Sequence, residues 1–149
     1  MIIFVYVYAN SVKGLIIGLD AAGTGLEITE LITTQATAFK EMKAKIGCST
    51  LQLLEFEHPS LGLLSVYLDE EGKLKTGDDK MLVSMFHGCG QKFVGSIAVF
   101  GPIDYSNDES PYTDVPDNLT IDTAEHELMC GSGVASRTDI YRAYGPSFA

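Results

Sequence analysis

Leu51-Gln-Leu-Leu-Glu-Phe-Glu-His-Pro-Ser-Leu-Gly-Leu-Leu-Ser-Val-Tyr-Leu68 is the stretch that decides the fold class. Residues 51–57 alternate in part, with Glu55 and Glu57 on one side, which is the pattern of a half-buried strand. His58-Pro59-Ser60 interrupts the run, and Leu61 to Leu68 resumes it as a second strand. Asp69-Glu-Glu-Gly72 then makes a polar turn in which Gly can take positive φ. Lys73-Leu74-Lys75 is expected to return as a short strand and complete a hairpin.

Toward the N-terminus, residues 34–46 change to Gln, Ala, Lys, Glu and Met, which are good helix formers. Ala38, Met42 and Ile46 recur at spacings of four, Phe39 lies beside that stripe, and Gly47 stands where a helix stop belongs. Before the helix, Met1 to Tyr8 is rich in β-branched and aromatic residues and predicts a strand. Asn10-Ser11 predicts a turn, Leu15 to Leu19 a second strand, Ala21 to Gly25 another turn, and Leu26 to Ile32 a third strand.

Toward the C-terminus, Asp78 or Asp79 is expected to cap a short helix reaching Phe86, because Met81-Leu82 and Met85-Phe86 are offset by four. Phe93-Val-Gly-Ser-Ile-Ala-Val-Phe-Gly101 reads as one late strand, ended by Pro102. Residues 102–118 hold Pro102, Pro111 and Pro116 among Asp, Asn and Ser, and predict a long surface loop. Asp122 to Cys130 predicts a short helix stopped by Gly131-Ser-Gly133. Tyr141, Tyr144 and Phe148 are expected to pack back on the domain or on another subunit. The fold expected is α+β: a mainly antiparallel sheet, one main helix at 34–46, and one or two short helices. Residues 1–101 form its core, and residues 102–149 an acidic loop and C-terminal extension packed on it. Its 149 residues fit a single domain.

The charge is unevenly placed. The net charge of −10 counts against a nonspecific nucleic-acid binder, which needs a basic surface to displace counterions from phosphates. Residues 1–92 carry 11 acidic and 8 basic side chains, whereas residues 93–136 carry 8 acidic ones and no Lys or Arg. That stretch is either a solvated loop or a surface docked on a positive partner. The partner-binding candidates are Asp104, Asp108, Glu109, Asp114 and Asp117, with Tyr105 and Tyr112 as aromatic anchors, since Tyr is favoured at interface hot spots. The apolar opening has no basic flank and is shorter than the roughly 20 residues that span a bilayer, so no membrane role is expected. Cys48, Cys89 and Cys130 are too few and too widely spaced for a disulfide framework and fit a reducing compartment. Asn118-Leu-Thr120 matches a glycosylation pattern without a secretory signal beside it.

Three alternatives of other kinds have residues to support them. His87 and Cys89, with His126 and Cys130 on one face of a helix, would offer two imidazoles and two thiolates to zinc. The same residues permit a cysteine nucleophile with a histidine base, with Lys92 favouring the thiolate. Gly88, Cys89, Gly90 and Lys92 could present amides and an ammonium to a small anionic, nucleotide-like ligand, in a pocket between subunits. No dinucleotide fingerprint or phosphate loop is present, since Ile28 stands where the third Gly after Gly23-Thr-Gly25 would be. No cofactor is expected.

Residues 34–101 resemble small uncharacterised proteins of phages and plasmids grouped as a domain of unknown function. The resemblance rests on Ala44-Lys-Ile-Gly47, Leu51 to Phe56, Val66-Tyr-Leu-Asp-Glu-Glu-Gly-Lys-Leu74 and the run Phe93 to Gly101. The chain departs from the pattern at Asp78-Asp79, where the family has Asn, and in the long extension after Pro102. The resemblance implies a mobile-element accessory protein in a bacterial cytoplasm. Such a protein would bind and inhibit a host factor, such as one of host defence, without catalysis and as a homo-oligomer. Acidic side chains would there stand in for phosphates in a basic groove.

Overall fold

Nine residues from Ser11 to Leu19 (β1) alternate so that Val12, Gly14 and Ile16 face one way and Leu15 and Ile17 the other, and all of them are buried. A strand apolar on both faces belongs in the middle of a sheet. The computed structural model, which describes residues 11–144, places it there. β1 pairs along its whole length with Leu26–Thr34 (β2) and, on its other edge, with Ile97–Phe100 (β7). Leu51–His58 (β3) and Gly62–Asp69 (β4) form a hairpin, and β4 pairs with β7. The five-stranded sheet has the order β2-β1-β7-β4-β3, with every pair antiparallel. The expected strand at Met1–Tyr8 lies outside the described residues, and the turn expected at residues 10–11 is replaced at Ser11 by the start of β1.

Lys80–Phe86 (β5), Lys92–Val94 (β6) and Met129–Ser136 (β8) make a second antiparallel sheet of order β6-β5-β8. It packs with Ile121–Glu127 (α2) on one face of the large sheet. There Leu15, Ile17, Leu64, Val66 and Val99 meet Leu82, Phe86, Phe93, Leu119, Ala124 and Leu128. The Phe86 and Phe93 rings are 5.0 Å apart at this core's centre. The opposite face is covered by Ala38–Ile46 (α1), whose Ala38 and Met42 are fully buried against Val12, Ile16, Leu31, Tyr67 and Phe100. Burying one such Met side chain contributes about 2 kcal/mol. Arg137–Tyr144 (α3) closes the described chain and buries Ile140. The protein is therefore α+β, with predominantly antiparallel strands and few short helices.

Several elements differ from the sequence expectation for identifiable reasons. The main helix starts at Ala38, not at residue 34, because Thr33, Thr34 and Thr37 bond hydroxyl to hydroxyl and hold a turn after β2. It ends as expected, with Gly47 at φ 75° donating to the Lys43 carbonyl. Lys73-Leu74-Lys75 is not a strand. The Lys75 ammonium folds back onto Asp69 at 2.6 Å, and Leu74 N–H bonds the Glu71 carbonyl, so the segment stays a turn. The expected helix through Phe86 is β5, in which Leu82, Ser84 and Phe86 point inward in strict alternation.

The run Phe93 to Gly101 is two strands in two sheets. Gly95, at φ 85° and donating to the Leu82 carbonyl, turns the chain from β6 into β7, and positive φ there suits only Gly. The helix expected to reach Cys130 stops at Glu127. Its N-terminus is secured by reciprocal Thr120–Thr123 bonds. Gly131, Ser132 and Gly133 lie inside β8, paired with Met85, Ser84 and Val83 in turn, and do not stop a helix. The extension after Gly101 thus contributes a strand to the core. Tyr141 and Tyr144 lie in α3, while Phe148 lies outside the described residues.

Candidate functional site

Residues 101–120 have no helix or strand, as expected of a loop, yet hydrogen bonds hold them to the sheet at Tyr105, Asp114 and Val115. Gly101 N–H donates to the Thr113 carbonyl at 3.0 Å, and Asp104 N–H to the Pro111 carbonyl at 2.8 Å, closing the segment on itself. Its base is fixed to β1, with Lys13 N–H donating to Asp114 Oδ1 at 2.8 Å and Val115 N–H to the Lys13 carbonyl at 3.0 Å. Gln35 holds Tyr112 by both backbone groups. The tip is a pair of side-chain turns, in which Asp104 accepts from Ser106 and Asn107 accepts from Ser110. A Cβ on Gly101 would run into the Asp114 carbonyl and the Thr113 hydroxyl, so glycine permits this close approach. The segment is an ordered strap.

The strap lays two of its predicted residues over a buried polar cluster on one face of the large sheet. Tyr105, 71% exposed, donates its hydroxyl to Glu55 Oε2 at 2.7 Å. That carboxylate holds the Tyr105 proton and raises its pKa. The Tyr112 ring packs between Tyr67 and Phe100, at 6.1 Å from each, and burial pushes its phenol up as well.

Beneath them, Glu55 stands directly opposite Ser65 in the β3–β4 ladder, and Tyr67 lies two residues further along the same face. Glu55 Oε1, Ser65 Oγ and Tyr67 Oη are all buried and without a hydrogen-bond partner among the described residues. Burial, with added repulsion from the neighbouring Tyr112, Glu55 and Tyr105, raises the Tyr67 pKa far above the usual phenol range. Three orphaned oxygens in one place are unusual, because buried polar groups are almost always paired.

The acidic residues divide by role. Asp114 and Asp104 are spent on the strap's own structure. Asp108, Glu109 and Asp117 are exposed. Glu55, Ser65 and Tyr67 were not put forward as site residues from the sequence. Glu55 looked like the solvent side of a half-buried strand, and an isolated Ser and Tyr in an apolar run carry no signal.

The histidine and cysteine candidates are dispersed. His126 lies exposed on α2 and Cys130 exposed on β8, so the shared helical face expected of them does not exist. No three His, Cys, Asp or Glu among the described residues are grouped to hold a metal ion. Cys89 packs against the inter-sheet core, with its thiol 4.0 Å from the Gln91 carbonyl. The Lys92 ammonium sits 5.5 Å over the Tyr144 ring, where Lys73 also approaches, at 5.6 Å. A cavity of about 40 Å³ beside Lys73 and Gln91 has room for water and is far below the roughly 300 Å³ typical of small-molecule pockets.

The buried histidine is one the sequence suggested only as an interruption. His58 Nδ1 accepts from Ser60 N–H at 3.1 Å and Leu61 N–H at 3.2 Å, so Nε2 carries the proton toward the Leu128 carbonyl at 3.3 Å. It ties the β3–β4 turn to the end of α2. His87 meets it edge-on at 6.1 Å.

Among the described residues no helix is long and apolar enough to cross a membrane. Comparison of the chain with protein-family models, with curated proteins and with solved structures returns no match.

Proposed function

We propose that this chain is a non-enzymatic binding protein that docks a positively charged protein surface against its acidic strap. In the mobile-element setting that the sequence resemblance implies, the partner is a host factor that the strap inhibits. The observation that supports this most is the fixed conformation of the strap. Hydrogen bonds to Lys13, Gln35 and Glu55 hold it in place, while Asp108, Glu109 and Asp117 remain exposed to solvent. A preorganised charged surface loses little conformational entropy on association, and its field steers a basic partner toward it. Tyr105 adds an exposed aromatic ring to the strap.

The test is affinity capture from a lysate of the source cells by the wild-type chain and by the triple variant Asp108→Asn, Glu109→Gln, Asp117→Asn. The reading expects a basic-surfaced protein that the triple variant no longer retains and that moderate salt releases. Identical capture by both chains would falsify it.

A further inference from the structure

We propose that Glu55, Ser65 and Tyr67 form a receptor for a primary ammonium, the head of a lysine side chain that the docked partner inserts beside Tyr105. This rests on the strap being a docking surface and names what that surface recognises. The chemistry of the cluster selects the ligand. A carboxylate oxygen and two hydroxyl oxygens are buried there without partners. Directly opposed residues in a ladder have Cβ atoms about 5 Å apart and diagonal ones about 7 Å, within reach of one small guest. The Glu55 carboxylate repels an anion.

A guanidinium binds best to both oxygens of one carboxylate. Here Oε2 is already taken by the Tyr105 hydroxyl, which leaves the single oxygen Oε1. Three separate acceptors match the three donors of an ammonium.

The rim fits the rest of a lysine side chain. Leu53, opposite Tyr67, and Leu63, opposite Glu57, share the sheet face of Glu55 and are 39% and 40% exposed. With the Tyr105 ring they offer apolar surface to the methylene stem, while the head sits at the cluster. The strap that carries Tyr105 also exposes Asp108 and Glu109, which favour a cationic guest.

The experiment is an amide NMR titration of the full chain with Nα-acetyl-lysine methylamide, its Nε-acetyl derivative and the arginine counterpart. The lysine compound should saturably shift the amides of Glu55, Ser65, Tyr67 and Tyr105, and the other two compounds should bind at least about tenfold more weakly, the size expected for losing a charge-assisted hydrogen bond. Glu55→Gln and Tyr67→Phe should each weaken the lysine compound by about tenfold. Tyr67→Phe keeps the ring packing, and unchanged near-ultraviolet circular dichroism verifies its fold. Equal shifts with the Nε-acetyl or arginine compound, or no shifts at these amides, would overturn the assignment and leave water as the occupant.

The strap triple variant separates the two readings. Strap-dependent capture without a lysine titration defeats the receptor alone. A lysine titration with strap-independent capture defeats the docking surface alone.

Discussion

Gln35 and Tyr112 grip each other from both ends of an amide. Gln35 Nε2 donates to the Tyr112 carbonyl at 2.7 Å, and Tyr112 N–H donates to Gln35 Oε1 at 3.0 Å. The pair joins the turn after β2 to the strap, 77 residues away, and does for the backbone what a neighbouring strand would do. Gln35→Ala is expected to cost about 1–2 kcal/mol. Hydrogen exchange should localise the loss, with the Tyr112 amide exchanging much faster while the amides of β1 and β7 stay protected.

Gly101→Ala attacks the same strap from beneath. The new Cβ would meet the Asp114 carbonyl, which is backbone and cannot rotate away, as well as the Thr113 hydroxyl. The strap must lift or β7 must shift, at a cost of about 1–3 kcal/mol. Urea unfolding measures the total. Loss of the Lys13 amide's protection would identify the strap as the part that gives way, since Lys13 N–H is held by Asp114.

His58→Phe conserves a ring but leaves the Ser60 and Leu61 amides without their acceptor, while the Leu128 carbonyl keeps only the His87 N–H. Destabilisation of about 2–4 kcal/mol is expected, since each stranded buried group costs roughly 1–3 kcal/mol and relaxation recovers part of it. Thermal unfolding checks it. A change of less than about 0.5 kcal/mol, typical of an ordinary surface position, would contradict the linking role.

Tyr67 sets the alkaline behaviour. Its folded pKa is raised above the unfolded value of 10.0, so the folded chain holds this proton where the unfolded chain releases it. The contribution is fully present below pH 10 and is lost as pH rises toward the folded pKa. Stability should therefore fall as pH climbs above 10, and Tyr67→Phe should flatten that fall. At neutral pH the same variant is expected to be neutral or stabilising by up to about 1 kcal/mol, because it removes a buried hydroxyl that has no partner. Such a stability cost is the trade-off expected of a functional site.

Much of this architecture was legible in local pattern. The stripe Ala38, Met42, Ile46 marks α1, and the interrupted run from Leu51 to Leu68 marks the two strands β3 and β4, although the pattern predicts the hairpin between β4 and residues 73–75 and not between β3 and β4. The failures share a cause. A spacing of four between Leu82 and Phe86 is one helical turn, but it is equally two repeats of a strand, and only pairing with β6 and β8 decides between them. Ser84 added to the ambiguity, being buried although polar. Gly95 hides a change of sheet inside an unbroken apolar run, since positive φ leaves no trace in hydrophobicity. The exposed half of the candidate site, Tyr105 with Asp108, Glu109 and Asp117, followed from composition. The buried half did not, because Glu55, Ser65 and Tyr67 become neighbours only through ladder register.

The most direct measurement removes the same charge from two places. Calorimetry with a Lys-Gly-Lys-Gly-Lys peptide amide would compare Asp108→Asn, Glu109→Gln, Asp117→Asn with a control triple, Glu27→Gln, Glu30→Gln, Glu71→Gln. All six positions are exposed. At roughly 0.2–1 kcal/mol per exposed pair, the strap triple should lose about tenfold in affinity and the control no more than about twofold. Equal losses in the two variants would mean that net charge alone holds the peptide, and would contradict the strap as the docking surface.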